Sequence, residues 1–114
     1  MEREIYKENR PWGYFERFTL NELSTVKLIS VNSGEALSLQ THSDREEFWR
    51  VISGSGIVTI GNEQFSIIGG KEFWVPRGTP HRIEAQNEKV FILEISFGLF
   101  REDDIVRLED KYKR

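Results

Sequence analysis

Nine short runs rich in β-branched and aromatic residues follow one another along the chain, each closed by turn-forming residues. This rhythm leaves little room for anything but a β-fold. The runs are YFERFT (14–19), VKLISVN (26–32), ALSLQTH (36–42), EEFWRVIS (46–53), GIVTI (56–60), QFSII (64–68), EFWV (72–75), HRIEA (81–85) and VFILEIS (90–96). Between them fall Asn32-Ser33-Gly34, Ser53-Gly54-Ser55-Gly56, Gly61-Asn62, Gly69-Gly70 and the corner Pro76-Arg77-Gly78-Thr79-Pro80, where glycine permits positive φ and proline presets the bend. Strands so short and evenly spaced predict an all-β chain that closes into a barrel or a two-sheet sandwich. A polar lead-in precedes the first run. At the far end EDDIVRLEDKYKR (102–114) has acids first, bases last, and Ile105 and Leu108 spaced to share a helical face, which predicts a short C-terminal helical segment.

At 114 residues the chain fits one domain spanning 1–114, and its Phe 8, Trp 3 and Tyr 3 supply the bulk for a core. There is no cysteine, so any metal must be held by nitrogen and oxygen. A net charge of -3 without a dense Lys/Arg tract argues against nucleic acid as a partner. No apolar run approaches the roughly 18 residues of a membrane span, and the N-terminus lacks a hydrophobic signal core. A cytoplasmic protein is therefore expected.

In ALSLQTH the alternation places Ala36, Ser38, Gln40 and His42 on one face and Leu37, Leu39 and Thr41 on the other. If the polar face lines the interior, the leucines point outward and need cover, which hints at a homodimer. Gln40 and His42 share a side, Glu47 enters the next strand after a turn, and His81 follows the Pro76–Pro80 corner. Hairpin pairing and barrel closure can bring all four together. Two imidazoles, a carboxylate and an amide oxygen suit zinc, manganese, iron, nickel or cobalt, with positions left open for substrate. Any one of these residues alone would be an ordinary polar neighbour, so the spacing decides.

From Gly34, five residues intervene before Gln40, one before His42, four before Glu47 and six before Gly54; from Gly70, five intervene before Pro76, one before Gly78 and two before His81. The two motifs in this order resemble those of the cupin superfamily, which implies a double-stranded β-helix or jelly-roll barrel. The superfamily pattern has His where Gln40 stands and Asn where Ala85 stands. Gln40 with His42, Glu47 and His81 looks like the zinc set of phosphomannose isomerases. RPWGYFERF (10–18), SLQTHSDREEFWRVISG (38–54), FWVPRGTPHRI (73–83) and EDDIVRLEDKYKR (102–114) further resemble the C-terminal cupin domain of the bifunctional bacterial type II phosphomannose isomerase/mannose-1-phosphate guanylyltransferase family. The chain has no room for the nucleotidyltransferase half, so a stand-alone isomerase domain without transferase activity is expected. Ser43 and Asp44 stand where the family is often rich in histidine, and Ser96 replaces a glutamine.

The resemblance implies interconversion of mannose 6-phosphate and fructose 6-phosphate with one divalent metal, zinc foremost. Such chemistry needs an electrophile, a base between C1 and C2 and a grip on phosphate. Arg82 and Arg107 are the leading catalytic candidates, while Arg10 and Arg45 are candidates for binding substrate because guanidinium grips oxyanions bidentately. Trp49 could stack on the sugar. For the base, Glu46, Glu94, a lysine or metal-bound hydroxide remain, and strand parity from Glu47 turns Glu46 away from the interior. Two other functions use a similar barrel: a non-catalytic sugar- or small-molecule-binding cupin, and a metal-dependent dioxygenase of the quercetinase type.

Overall fold

The computed structural model describes residues 4–112, and among these there is no helix. Eleven strands form in chain order: β1 (Tyr6–Arg10), β2 (Gly13–Arg17), β3 (Ser24–Val31), β4 (Leu39–Thr41), β5 (Arg45–Ser53), β6 (Gly56–Ile60), β7 (Glu63–Ser66), β8 (Glu72–Val75), β9 (His81–Ala85), β10 (Val90–Gly98) and β11 (Val106–Glu109). β1 and β2 pair as a hairpin of their own. The remaining strands make a four-stranded sheet in the order β3-β10-β5-β8 and a five-stranded sheet in the order β11-β4-β9-β6-β7.

The two larger sheets share a core made of the inward-facing residues of both. Trp49, Val51, Val75, Val90 and Ile92 of the four-stranded sheet meet Val58, Ile83 and Ala85 of the five-stranded sheet, all buried. Because residues directly opposite in an antiparallel ladder share a face, the register orders the interior in rows. In the four-stranded sheet Val31 and Val90 form one apolar row and Ile29, Ile92 and Val51 the next; then come Lys27, Glu94, Trp49 and Phe73, and after them Thr25, Ser96, Glu47 and Val75. The interior therefore passes from an apolar floor to a polar upper chamber. A second cluster of Phe48, Ile95 and Phe97 lies on the outer face of the same sheet and is covered by Ile5, Phe18 and Trp74.

The glycine that closes the first motif is required by backbone contact. Gly54 has φ +106°, and a Cβ there would sit 2.2 Å from the Lys89 carbonyl oxygen. No side chain fits without moving β10.

Two expectations change. The polar lead-in contains a strand, β1, whose alternation is hidden because both faces of the hairpin are largely exposed. The C-terminal segment is not helical among the described residues, since Val106–Glu109 extend as β11 beside β4; residues 113–114 lie outside the described residues. Only Ile105 and Leu108 offered a helix any apolar face, and a short isolated helix is marginal. The open edge of β4 supplies backbone partners instead. Leu37 packs against the main core, so it does not by itself call for a second subunit.

Candidate metal centre

Three ligand-bearing side chains converge where the polar chamber begins. His42, Glu47 and His81 are all buried, and one donor atom from each lies within 4.8 Å of the others. They come from both sheets. Glu47 projects inward from β5, His81 opens β9, and His42 directly follows β4. Glu47 Oε2 is 3.6 Å from His42 Nε2 and Glu47 Oε1 is 3.6 Å from His81 Nε2. Gln40 stands opposite His81 across the β4–β9 ladder, and its amide Nε2 lies 3.3 Å from His42 Nε2. Half a turn of the amide presents its oxygen to the same point.

Backbone carbonyls set both imidazoles. His42 Nδ1 donates to the Asp104 carbonyl at 2.6 Å, and His81 Nδ1 donates to the Thr79 carbonyl at 2.9 Å. With Nδ1 protonated, each Nε2 is left with a lone pair facing Glu47, the tautomer a metal needs. Burial holds the His81 pKa below the ordinary value, against the opposing pull of Glu47. His81 Nε2 is moreover a buried polar atom without a hydrogen-bond partner. An orphaned lone pair aimed at a carboxylate and a second imidazole fits a divalent cation bound by N and O donors.

The residues around the ligands hold them in place. Trp49 Nε1 donates to Glu47 Oε1 at 3.1 Å, and its ring meets His81 edge-on at 5.6 Å between centroids. Arg45, also buried, donates from Nε to Glu47 Oε2 at 3.1 Å and from Nη2 to His42 Nε2 at 3.1 Å. Asp104 accepts hydrogen bonds from Ser43 N (2.9 Å), Ser43 Oγ (2.7 Å) and Asp44 N (2.9 Å), which hold its carboxyl well below the usual carboxylate range. Its clamp fixes the loop that presents His42. Two cations approach the Phe100 ring, Lys27 Nζ at 4.3 Å and Arg45 Cζ at 4.2 Å from its centroid.

The other arginines named from sequence sit elsewhere. Arg107 stands directly opposite Gln40 on β11 and shares its face, at the exposed edge of the sheet. Arg82 alternates with His81 and so faces outward, donating from Nε to the Leu37 carbonyl at 3.0 Å, with Glu84 and Glu109 each 3.6 Å from Nη1. Arg10 pairs with Glu8 within the β1–β2 hairpin. Glu46 stands opposite Phe97, on the outer face. Sequence reasoning did not single out Asp104, Lys27 or Phe100. Their relation to the site depends on strand pairings far apart in the chain, although the EDDIVR tail was a pointer to Asp104. A surface groove lined by Ile60, Phe65, Lys71, Phe73 and Thr79 contains none of the ligand residues.

A two-sheet antiparallel barrel with His, His and Glu converging inside it defines a cupin with a candidate mononuclear metal centre. A cupin protein from Bacteroides fragilis superposes with a TM-score of 0.62 at 22% identity, covering 75% of this chain and 79% of that one. The chain belongs to the mannose-6-phosphate isomerase C-terminal family, whose model matches residues 1–110. The mannose-1-phosphate guanylyltransferase ManC of Salmonella typhimurium is 37% identical over 116 residues, covering 100% of this chain and 24% of the relative. The chain thus spans about a quarter of the length of the curated relatives it matches. A putative sugar phosphate isomerase from Acidithiobacillus ferrooxidans is 28% identical with a TM-score of 0.60, covering 67% of this chain and 51% of that one. Among the described residues, no helix is long and apolar enough to cross a membrane.

Proposed function

We propose that this protein is a divalent-metal-dependent aldose–ketose isomerase that interconverts mannose 6-phosphate and fructose 6-phosphate, with zinc as its metal. One observation carries the reading. In a chain of the mannose-6-phosphate isomerase C-terminal family, two imidazoles with carbonyl-locked Nδ1 atoms turn their Nε2 lone pairs toward one buried carboxylate. Gln40, His42, Glu47 and His81 would hold the cation, whose chemistry is Lewis acidity toward the sugar O1 and O2. Residues 1–114 act as a single domain in this reading, and the ligand is a small sugar phosphate.

The chain's own groups then bind and orient. Trp49 and Arg45 fix the Glu47 carboxylate, and the carbonyls of Asp104 and Thr79 fix the two imidazoles. Arg45 and Lys27, both beside the Phe100 ring, place two cations where a phosphate would enter, and Arg107 adds a third from the sheet edge. Burial of the ligand cluster keeps bulk water from a reactive enediol.

The test is turnover of mannose 6-phosphate by protein stripped with chelator and reloaded with zinc, manganese, cobalt, nickel or iron(II). Metal-restored conversion is expected, and Gln40→Ala and His81→Ala should lose both metal and turnover. Full activity in either variant would sink the assignment. Saturable binding without conversion by folded, metal-loaded protein would move the reading to a sugar-binding cupin, and oxygen uptake with an enolic substrate to a dioxygenase.

A further inference from the structure

The polar chamber contains a second carboxylate that the ligand cluster does not use. Glu94 lies on β10 and is only 6% exposed. Its place in the ladder points it into the barrel, because it stands directly opposite Trp49 on β5 and opposite Lys27 on β3. One row nearer the mouth on the same face stand Ser96 and Glu47, directly opposite each other, with Ser96 Oγ donating to Glu94 Oε1 at 3.4 Å. Glu94 is thus diagonal to the metal-ligating carboxylate, with the apolar row of Ile29, Ile92 and Val51 beneath it.

A buried carboxyl is an expensive way to fill such a position. The row beneath is closed by isoleucine and valine, Trp49 and Phe73 fill the same row, and an apolar residue at 94 would avoid the desolvation of a charge. Its cationic neighbours, Lys27 and Arg45, favour the charged carboxylate, but burial outweighs their pull and each is also committed elsewhere. The Lys27 ammonium lies over the Phe100 ring, and the Arg45 guanidinium is bonded to Glu47 and His42. What the position offers is a carboxylate held inside the barrel, one row beneath the ligand carboxylate and directly opposite Trp49.

We propose that Glu94 is the catalytic residue that carries the substrate proton between C2 and C1, a role that rests on the isomerase reading above. In the forward direction its carboxylate takes the proton from C2 of the open-chain aldose. The C–H electron pair forms the C1=C2 bond while the carbonyl pair moves onto O1. The O2 hydroxyl gives up its proton and O1 takes one up, so that the carbonyl now forms at C2. The carboxyl group of Glu94 returns its proton to C1 as the C1=C2 pair closes onto it. Atoms and charge balance, and no co-reactant is needed. A single carboxylate serving both carbons requires only that they present the same face to it.

The electrostatics agree with this geometry. Burial foremost, and the Glu47 charge next, raise the Glu94 pKa to about 7, while Lys27 on β3 and Arg45 on β5 oppose the rise. His42 and His81 complete the titratable groups of the ligand cluster.

Glu94→Gln keeps the shape and removes the base. In D2O the zinc-loaded wild-type protein should convert mannose 6-phosphate and carry solvent deuterium into C1 or C2. Glu94→Gln should lower kcat by about 10³-fold, within the usual reach of general base catalysis. It should abolish deuterium wash-in while zinc affinity and calorimetric binding of mannose 6-phosphate stay within threefold of wild type. Glu94→Asp should recover part of kcat. An active wild type with a Glu94→Gln variant keeping more than a tenth of its kcat overturns the role of Glu94 and leaves the isomerase reading standing. Loss of zinc affinity in parallel with kcat would make Glu94 a structural residue and likewise overturn the proposal. A folded, zinc-loaded wild type that neither converts nor exchanges overturns both.

Discussion

Ile83→Ala tests the strand parity on which the whole site depends. Ile83 is 0% exposed, stands opposite Val58 and lies two residues beyond His81 on β9, so the same alternation that buries it points His81 into the barrel. Truncation removes three carbons. At about 0.8 kcal/mol per buried methylene the transfer loss is roughly 2.5 kcal/mol. A residual cavity among Trp49, Val58 and Ile92 raises the total to about 3–4 kcal/mol, within the range seen for Ile→Ala in cores. That is a large share of the roughly 5–15 kcal/mol that holds such a domain together. The control is the next residue but one position out of phase, Glu84, whose side chain faces outward and lies 3.6 Å from Arg82. Its replacement by alanine should cost less than about 1 kcal/mol, as for other ion pairs at a solvent-facing surface. Urea unfolding followed by tryptophan fluorescence, at one fixed zinc concentration, measures both variants. The expected result is a sharply lower midpoint for Ile83→Ala with unchanged slope. A cost below 1 kcal/mol for Ile83→Ala together with more than 2 kcal/mol for Glu84→Ala would mean that β9 is out of register by one residue. His81 would then leave the barrel and the candidate metal centre would be lost with it.

The Asp104 clamp should make itself felt in acid. Its folded-state pKa is depressed by the Ser43 and Asp44 donors, so its stabilising contribution is full above the ordinary aspartate value and disappears as pH falls below about 4. Urea midpoints of wild type and Asp104→Asn should therefore differ at neutral pH and converge toward about pH 2; a constant offset would refute the clamp. The edge strand β3 exposes Val26 at 59% and Leu28 at 63%, an apolar row on an unpaired edge. We propose that a second copy covers it in a homodimer. Light scattering should show a dimer for wild type and a monomer for Val26→Lys/Leu28→Lys, and a monomeric wild type would discard the proposal.

The strand rhythm and the candidate ligands were legible in the sequence for different reasons. Period-two alternation and turn glycines act over a few residues, so β5, β6, β8, β9 and β10 can be placed with no knowledge of their partners. Gln40, His42, Glu47 and His81 stood out because two motifs fix their offsets from turn glycines. Local reasoning misplaced the tail, where charge order and the Ile105–Leu108 spacing favoured a helix. An unpaired edge at β4 drew Val106–Glu109 into the sheet. It also passed over β1, whose residues bury little on either face.

By itself the sequence determined that this chain is a β-barrel without cysteine, carrying a nitrogen and oxygen donor set at cupin spacing. Those properties are encoded in near neighbours: alternation, turn chemistry and residue type. The tertiary structure decided what surrounds the donors. It set Arg45 across His42 and Glu47, locked the imidazoles by the carbonyls of Thr79 and Asp104, and put Glu94 and Lys27 on one row with Trp49. Except for the Thr79 carbonyl and the short-range Arg45 contacts, these relations join residues dozens of positions apart. They arise only when ladder register and the closing of two sheets onto one core bring distant segments face to face.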